Sequence, residues 1–201
     1  EFLSDINQNP LVSWPLHLFD CAPITDGAAC LIITSEEIAS EFSDSYVKIL
    51  ASEQASAGPL YTWGSDITSI PSTRDASQKA FQSAGVNAND IDIVEVHDCF
   101  TSAEIVATED IGFFPKGQGA DAILRGETER DSNLPINVSG GLKAKGHPVG
   151  ASGVAQLVEL WTQLSNKAGE RQVPKQNINL GLAHNVGGTG GTCVISILES
   201  H

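Results

Sequence analysis

The chain has 201 residues, 41% of them hydrophobic, and a formal charge of −14 from 11 Lys and Arg against 25 Asp and Glu. That length holds one substantial core, or one domain with part of another. The acids are scattered rather than blocked, which suits solubility; such a surface argues against nucleic acid and anionic membranes as partners, and it repels phosphorylated substrates unless another segment supplies the basic contacts.

No stretch reads as a transmembrane span or a secretory signal. The opening residues EFLSDINQNP, and the absence of any methionine, read as an interior piece of a longer protein. Cys21, Cys30, Cys99 and Cys193 have no CxxC spacing, so they are expected to be reduced thiols with no metal site. Cys30 and Cys193 fall in apolar runs and read as core residues, and Cys21 as structural.

In chain order, Pro10 and Pro15 bracket an apolar, irregular connection. The turn Asp26–Gly27 leads into Ala28 to Thr34, a run suited to a buried strand, and Ser35 with Glu36 and Glu37 opens a short helix. Tyr46 starts a second unit with a strand that stops at Gly58–Pro59, followed by a loop over 60–70. Ser72 is expected to cap a helix from Thr73 to Ala84 that ends at Gly85, with Ala76, Ala80, Phe81 and Ala84 on one face. Then come the strand IDIVEV, a helix from Thr101 to Ile111 before Gly112, and a loop around Lys116 with a short helix. A strand-like piece at Asn137 passes through a glycine-rich turn into a helix from Ala151 to Asn166. The chain closes as strand, glycine turn, strand. The alternation from residue 46 onward predicts a layered α/β domain with a mixed sheet, and residues 1–45 read as the last strand and helix of a preceding unit.

His97, His147 and His184 each follow a strand-like run, and two of them adjoin glycine turns. Ligands of open α/β sheets collect where strands end, so the three turns are expected to converge. His147 taken alone could equally be an exposed residue of a tight turn. Cys99, two residues after His97, joins the cluster as a thiol whose proton an imidazole could withdraw. The run Gly187-Gly188-Thr189-Gly190-Gly191 offers backbone N–H groups for an oxyanion. It is not a phosphate-binding loop, because no Lys-Ser/Thr ends it and a strand follows.

Four segments then carry a resemblance. Gly146-His147-Pro148-Val149-Gly150-Ala151 resembles the GHPxG motif of thiolases, and His97-Asp98-Cys99-Phe100 the HDCF motif of their sterol-carrier-protein type. His184 to Gly191 resembles that subfamily's HN-containing C-terminal glycine motif, and Asp20 to Ala29 the segment leading into the last strand of the thiolase N-terminal domain. The resemblance covers the whole chain and is to the C-terminal half of a thiolase, of the kind found in acetyl-CoA acetyltransferases.

That resemblance implies a C-terminal βαβαβαββ domain over 46–201, with a mixed five-stranded sheet covered by helices, and the tail of the N-terminal domain over 1–45. It implies an acyl-CoA acyltransferase that cleaves 3-ketoacyl-CoA with CoA, or condenses acyl-CoA units. Coenzyme A is then a substrate, and no group is covalently bound. His147 would activate a nucleophilic cysteine of the N-terminal half, which this chain lacks, and would help hold the thioester oxygen. Cys99 would move the substrate α-proton, with its pKa lowered by an imidazole. His97 stands where many thiolases carry an Asn that orders an oxyanion-hole water, and His184 where others carry the acid/base cysteine. Gly146, Gly187 and Gly188 would line the substrate site, with backbone N–H groups around Val186 and Gly187 forming a second oxyanion hole. Expected partners are acyl-CoA and CoA, the N-terminal half, and further copies in a homo-oligomer. The expected compartment is the cytoplasm, with peroxisome or mitochondrion as alternatives. Two rival functions share these motifs: an aldolase acting on a β-hydroxyacyl-CoA, and a noncatalytic scaffold subunit.

Overall fold

A computed structural model describes residues 2–43, 45–63, 66–175 and 177–201, with the backbone alone for Phe2. Within the expected loop 60–70, Gly64 and Ser65 lie outside the described residues, as do Glu1 and Asp44 of the expected 1–45 unit and Gln176 of the polar connection.

The N-terminal stretch forms a small hairpin, β1 (Leu11–Ser13) against β2 (Leu16–His17), where the two prolines predicted an irregular connection. A helix, α1 (Glu36–Phe42), follows as expected. The predicted strand over Ala28 to Thr34 does not form, and Ile32 and Ile33 are exposed. Apolar residues make a strand only where another strand presents its N–H and C=O groups, and no described segment does so here.

The main sheet is built from β3 (Val47–Ser56), β4 (Ile93–Glu95), β5 (Leu180–Gly187) and β6 (Thr192–Ser200), in the order β3-β6-β5-β4. Its β3–β6 and β5–β6 pairs are antiparallel and β4–β5 is parallel. The sheet is mixed, as expected, and among the described residues it holds four strands where five were expected. Ile136 makes a single parallel bridge to Val94 where the fifth strand was expected. Pro135 has no N–H to give, and Asn137 turns to φ 54°, so the ladder cannot extend on either side.

Helix α2 (Pro71–Ala84) begins with Pro71, whose fixed φ suits a first helical residue, and ends on Gly85 at φ 70°. Its N-cap is Ile70, not the expected Ser72, whose hydroxyl instead donates to the carbonyl of Gly190 across 2.6 Å. Helices α3 (Thr101–Ile111), α4 (Gly119–Leu124), α5 (Gly141–Lys145) and α6 (Ser152–Leu164) complete the domain.

Two cores lie on the two faces of the sheet. On one, Val94, Val96, Leu180, Leu182, Val186, Ile195 and Ile197 pack with Ala76 and Ala80 of α2 and Ala107 and Ile111 of α3. On the other, Ile93, Ala183 and Leu198 pack against Leu160 and Leu164 of α6. Leu182, Ile195 and Ile197 are fully buried, each contributing about 1.5–3 kcal/mol of apolar burial. Cys193 is buried as expected, whereas Cys30 is exposed, because the strand it was expected to sit in is absent. Among the described residues, no helix is long and apolar enough to cross a membrane.

Candidate active site

Side chains alternate across a strand, and the sheet's two faces therefore sort the candidate residues. On β5, Leu180, Leu182 and Val186 belong to the α2 face. His184 shares their parity, while Asn185 points to the α6 face with Ala183. Beyond the end of β4, His97 has the parity of Ile93 and Glu95, so it meets Asn185.

A cavity of about 380 Å³ lies at these strand ends, lined by His97, Cys99, Phe100, His147, Asn185 and Gly187, among others. Three of the four predicted catalytic residues thus converge, together with Gly187 and Gly188. Gly146 stands behind the wall, with φ 90° and Thr25 so close that a Cβ would lie 2.4 Å from its Oγ1.

His184 does not reach the cavity. It is buried in the core, with Nε2 3.0 Å from Thr73 Oγ1 and Nδ1 receiving the backbone N–H of His97 across 3.4 Å. Since Nδ1 accepts, the ring proton sits on Nε2 and goes to Thr73. Burial, with His97 nearby, pushes its pKa down to about 3, so the ring is neutral. It extends the β4–β5 ladder with a side chain where the backbone partner has run out.

His97 is also neutral near pH 7, its pKa lowered to about 4 by burial first and by His147 second. The two rings meet edge to face, with centroids 4.9 Å apart. The Nδ2 of Asn185 lies 3.1 Å from His97 Nδ1 and 3.1 Å from Gln156 Oε1. A side chain at position 153 would crowd Asn185, because a Cβ there would lie 3.3 Å from its amide carbon.

His147 is fixed from the other side. Its Nδ1 lies 2.8 Å from Ser152 Oγ, whose own proton is directed to the carbonyl of Pro148 at 3.0 Å. The hydroxyl has one proton, so it must accept from His147. The imidazole then holds its proton on Nδ1 and presents a bare Nε2, the form of a base.

The segment from Asp20 to Gly27 straps the two histidine turns together. Ala22 donates its N–H to the carbonyl of Cys99 at 2.9 Å, Thr101 Oγ1 donates to Asp20 at 2.9 Å, and His147 donates its N–H to Pro23 O at 3.0 Å. Lys143 Nζ reaches Cys21 O at 2.7 Å. Asp98, between His97 and Cys99, accepts the N–H groups of Leu142 at 2.7 Å and Lys143 at 3.3 Å, and so joins this turn to α5.

Cys99 departs from expectation in its charge. No histidine makes a hydrogen bond to its sulfur among the described residues, and burial, followed by the charge of Asp98, pushes the thiol up rather than down. The N–H of Phe100 pulls the other way and is outweighed. At rest Cys99 is a thiol, a proton donor. Behind it, burial raises Glu95 and Glu104 each to about 7. Glu95 accepts from Ser139 Oγ at 2.5 Å and from its N–H at 3.1 Å, with Lys145 Nζ at 3.6 Å.

Asn185, Gln156, Ser152 and Asp98 were not singled out from the sequence. For the first, the signal was the alternation Leu180, Leu182, Val186, which assigns Asn185 to the other face. For the next two it was a polar line on α6: Ser152, Gln156, Glu159 and Gln163 recur at helical spacing and all are buried.

A mixed sheet between helix layers, with a thiol and two oriented imidazoles beside a glycine rim at its strand ends, defines an α/β domain of the thiolase kind. The family described as thiolase C-terminal domain-like matches residues 54–200, and the chain belongs to the thiolase family. It is 45% identical, over 98% of its length, to an acetyl-CoA acetyltransferase of Methanothermobacter thermautotrophicus, covering 51% of that protein. It is 38% identical to human sterol carrier protein 2 over 92% of its own length and 34% of the relative's. The chain therefore spans about half, or less, of the curated relatives it matches. Its fold is similar to the Ltp2-ChsH2(DUF35) aldolase, with a TM-score of 0.84 at 24% identity over 98% of this chain and 51% of that one. It is also similar to the Bacillus anthracis acetyl-CoA acetyltransferase, with a TM-score of 0.63 at 20% identity over 90% and 38%.

Proposed function

We propose that this chain supplies the acid/base half of a thiolase site that cleaves 3-ketoacyl-CoA with CoA. The observation that carries the reading is the pairing at one cavity of a bare imidazole nitrogen, on His147, with a protonated thiol, on Cys99. A nucleophilic cysteine from the N-terminal half would attack the substrate's C3 carbonyl, its proton passing to His147 Nε2. Collapse of that adduct breaks the C2–C3 bond and leaves an acetyl-CoA enolate. Cys99 gives its proton to C2 of the enolate, and the resulting thiolate recovers a proton from the incoming CoA thiol; the CoA thiolate takes the acyl group, and the released cysteine thiolate takes its proton back from His147. His97, neutral and edge-on to His147, offers Nε2–H to the developing oxyanion, with Gly187 and Gly188 on the facing wall. Chain 1–45 belongs, on this reading, with the N-terminal half.

The test is turnover of a 3-ketoacyl-CoA by the full-length protein. His147→Ala and Cys99→Ser should each lower kcat/KM by about 10²–10⁴. Retained turnover in both variants contradicts the reading. Cleavage of a β-hydroxyacyl-CoA to a carbonyl product and an acyl-CoA, with no CoA consumed, would indicate a retro-aldol reaction instead.

A further inference from the structure

We propose that Gln156 is a positioning residue which, acting through Asn185, holds the ring proton of His97 on Nε2. The inference rests on the reading above, in which His97 presents an N–H to the substrate oxygen.

Gln156 lies one turn after Ser152 on the buried face of α6 and is 1% exposed. Its Nε2 is 3.0 Å from the carbonyl oxygen of His184, within β5, and 3.4 Å from that of Glu95, the last residue of β4. Main-chain carbonyls can only accept, so the amide NH2 must face them and Oε1 must face away. Oε1 lies 3.1 Å from the side-chain nitrogen of Asn185. An acceptor there requires Asn185 to turn its NH2 inward, and the same NH2 meets His97 Nδ1 at 3.1 Å. Nδ1 must therefore be the bare nitrogen, and Nε2 carries the proton. Each orientation is forced by the one before it, starting from two carbonyls whose role is fixed.

The same helix face does the reverse to the second ring. Ser152 accepts from His147 Nδ1, which leaves Nε2 bare. Two imidazoles 4.9 Å apart are thus given opposite proton placements, one a base and one a donor, by residues at i and i+4 of one helix. With His97 in the other tautomer, two lone pairs would face one oxyanion. The inward polarity of α6, which a core helix would not otherwise carry, has this use at its N-terminal end.

The test uses full-length protein with 15N-labelled histidine, reading the ring nitrogen shifts near pH 7, with His97 assigned by its loss in His97→Asn. Wild type should show His97 as neutral Nε2–H. Gln156→Leu removes the anchor, and the His97 signals should become a mixture of tautomers. Asn185→Asp, nearly isosteric, sets an acceptor against Nδ1 and should move the proton there or make the ring cationic. In both variants kcat should fall about 10- to 100-fold with KM little changed. If Gln156→Leu does not fold, Asn185→Asp with wild type decides. A wild-type ring in the Nδ1–H form, or an unchanged Nε2–H ring in these variants, overturns the proposal. A changed tautomer with unchanged kcat leaves Gln156 as the positioning residue and instead overturns the use of His97 as an oxygen donor.

Discussion

Asn185 gives its side-chain amide to the ring of His97 across 3.1 Å, while its neighbour His184 lies on the opposite face of β5, 3.0 Å from Thr73 Oγ1. Two adjacent residues thus hold His97 by different atoms, one by the ring and one by the main-chain N–H. The histidine of the HN pair is the inner support, and the asparagine is the one that faces the cavity.

This partition separates stability from turnover. His184→Ala leaves a cavity and the buried N–H of His97 unpaired, while Thr73 keeps its hydrogen bond with Cys193, and should cost roughly 2–4 kcal/mol in urea denaturation. Molecules that still fold should retain turnover within about tenfold. An acid/base role for His184 would give the opposite: stability kept and kcat lost.

Gly146 should be irreplaceable for a reason that lies in the strap. It adopts φ 90°, and a Cβ would lie 2.4 Å from the hydroxyl and methyl of Thr25. Gly146→Ala is expected to destabilise by about 1–3 kcal/mol or more and to lower turnover, since relief of the clash moves the Asp20–Gly27 segment that receives the N–H of His147. Gly112→Ala is the control: φ is 100° there, but nothing lies within 4 Å of the added carbon. It should lose stability by about 1 kcal/mol while keeping turnover. Equal effects on turnover would sink the strap as a positioning element.

Glu95 should leave a mark on stability against pH. Its folded pKa, near 7, is raised above its ordinary 4.5, so between these values the folded chain holds the proton more often than the unfolded one. Its contribution is fully present below pH 4.5 and is lost as pH rises through 7, with a slope of up to about 1.4 kcal/mol per pH unit. Glu104 acts in the same direction. His97 and His184 oppose both, because their lowered pKa values make stability rise with pH towards 6.5. The four largely cancel between pH 4.5 and 6.5. Below 4.5 the histidines dominate, and stability falls as pH drops. Glu95→Gln should remove part of the decline above pH 6.5, read from thermal unfolding at pH 6 and pH 8. An unaltered difference between those two pH values contradicts a buried, proton-binding Glu95.

Much of this was legible in the sequence. Helices α2 and α3 end at the glycines that follow them in the sequence, and Gly85 and Gly112 have φ of 70° and 100°. The turn bearing His97 and Cys99, the turn bearing His147 and the glycine turn after β5 meet at one cavity, as ligand sites at the strand ends of an α/β sheet do. Other readings failed for physical reasons. Ala28 to Thr34 has the composition of a strand, but composition says nothing of a partner to pair with. The fifth strand shrank to one bridge between a proline and a positive-φ asparagine. His184 was placed by its motif rather than by its parity with Leu182, and parity decides the face. The raised pKa of Cys99 was not readable at all, because it depends on how deeply the turn is buried and on which imidazole nitrogens point elsewhere.

In the proposed mechanism the two groups divide the labour: Cys99 moves the α-proton and His147 serves the nucleophile. The most direct measurement is exchange of the acetyl-CoA methyl protons with D2O, catalysed by the full-length protein and followed by mass spectrometry, beside acylation of the enzyme by the same thioester. Cys99→Ala should slow exchange by about 10² or more and still acylate, whereas His147→Ala should lose acylation. Exchange that survives in Cys99→Ala at the wild-type rate would contradict the account.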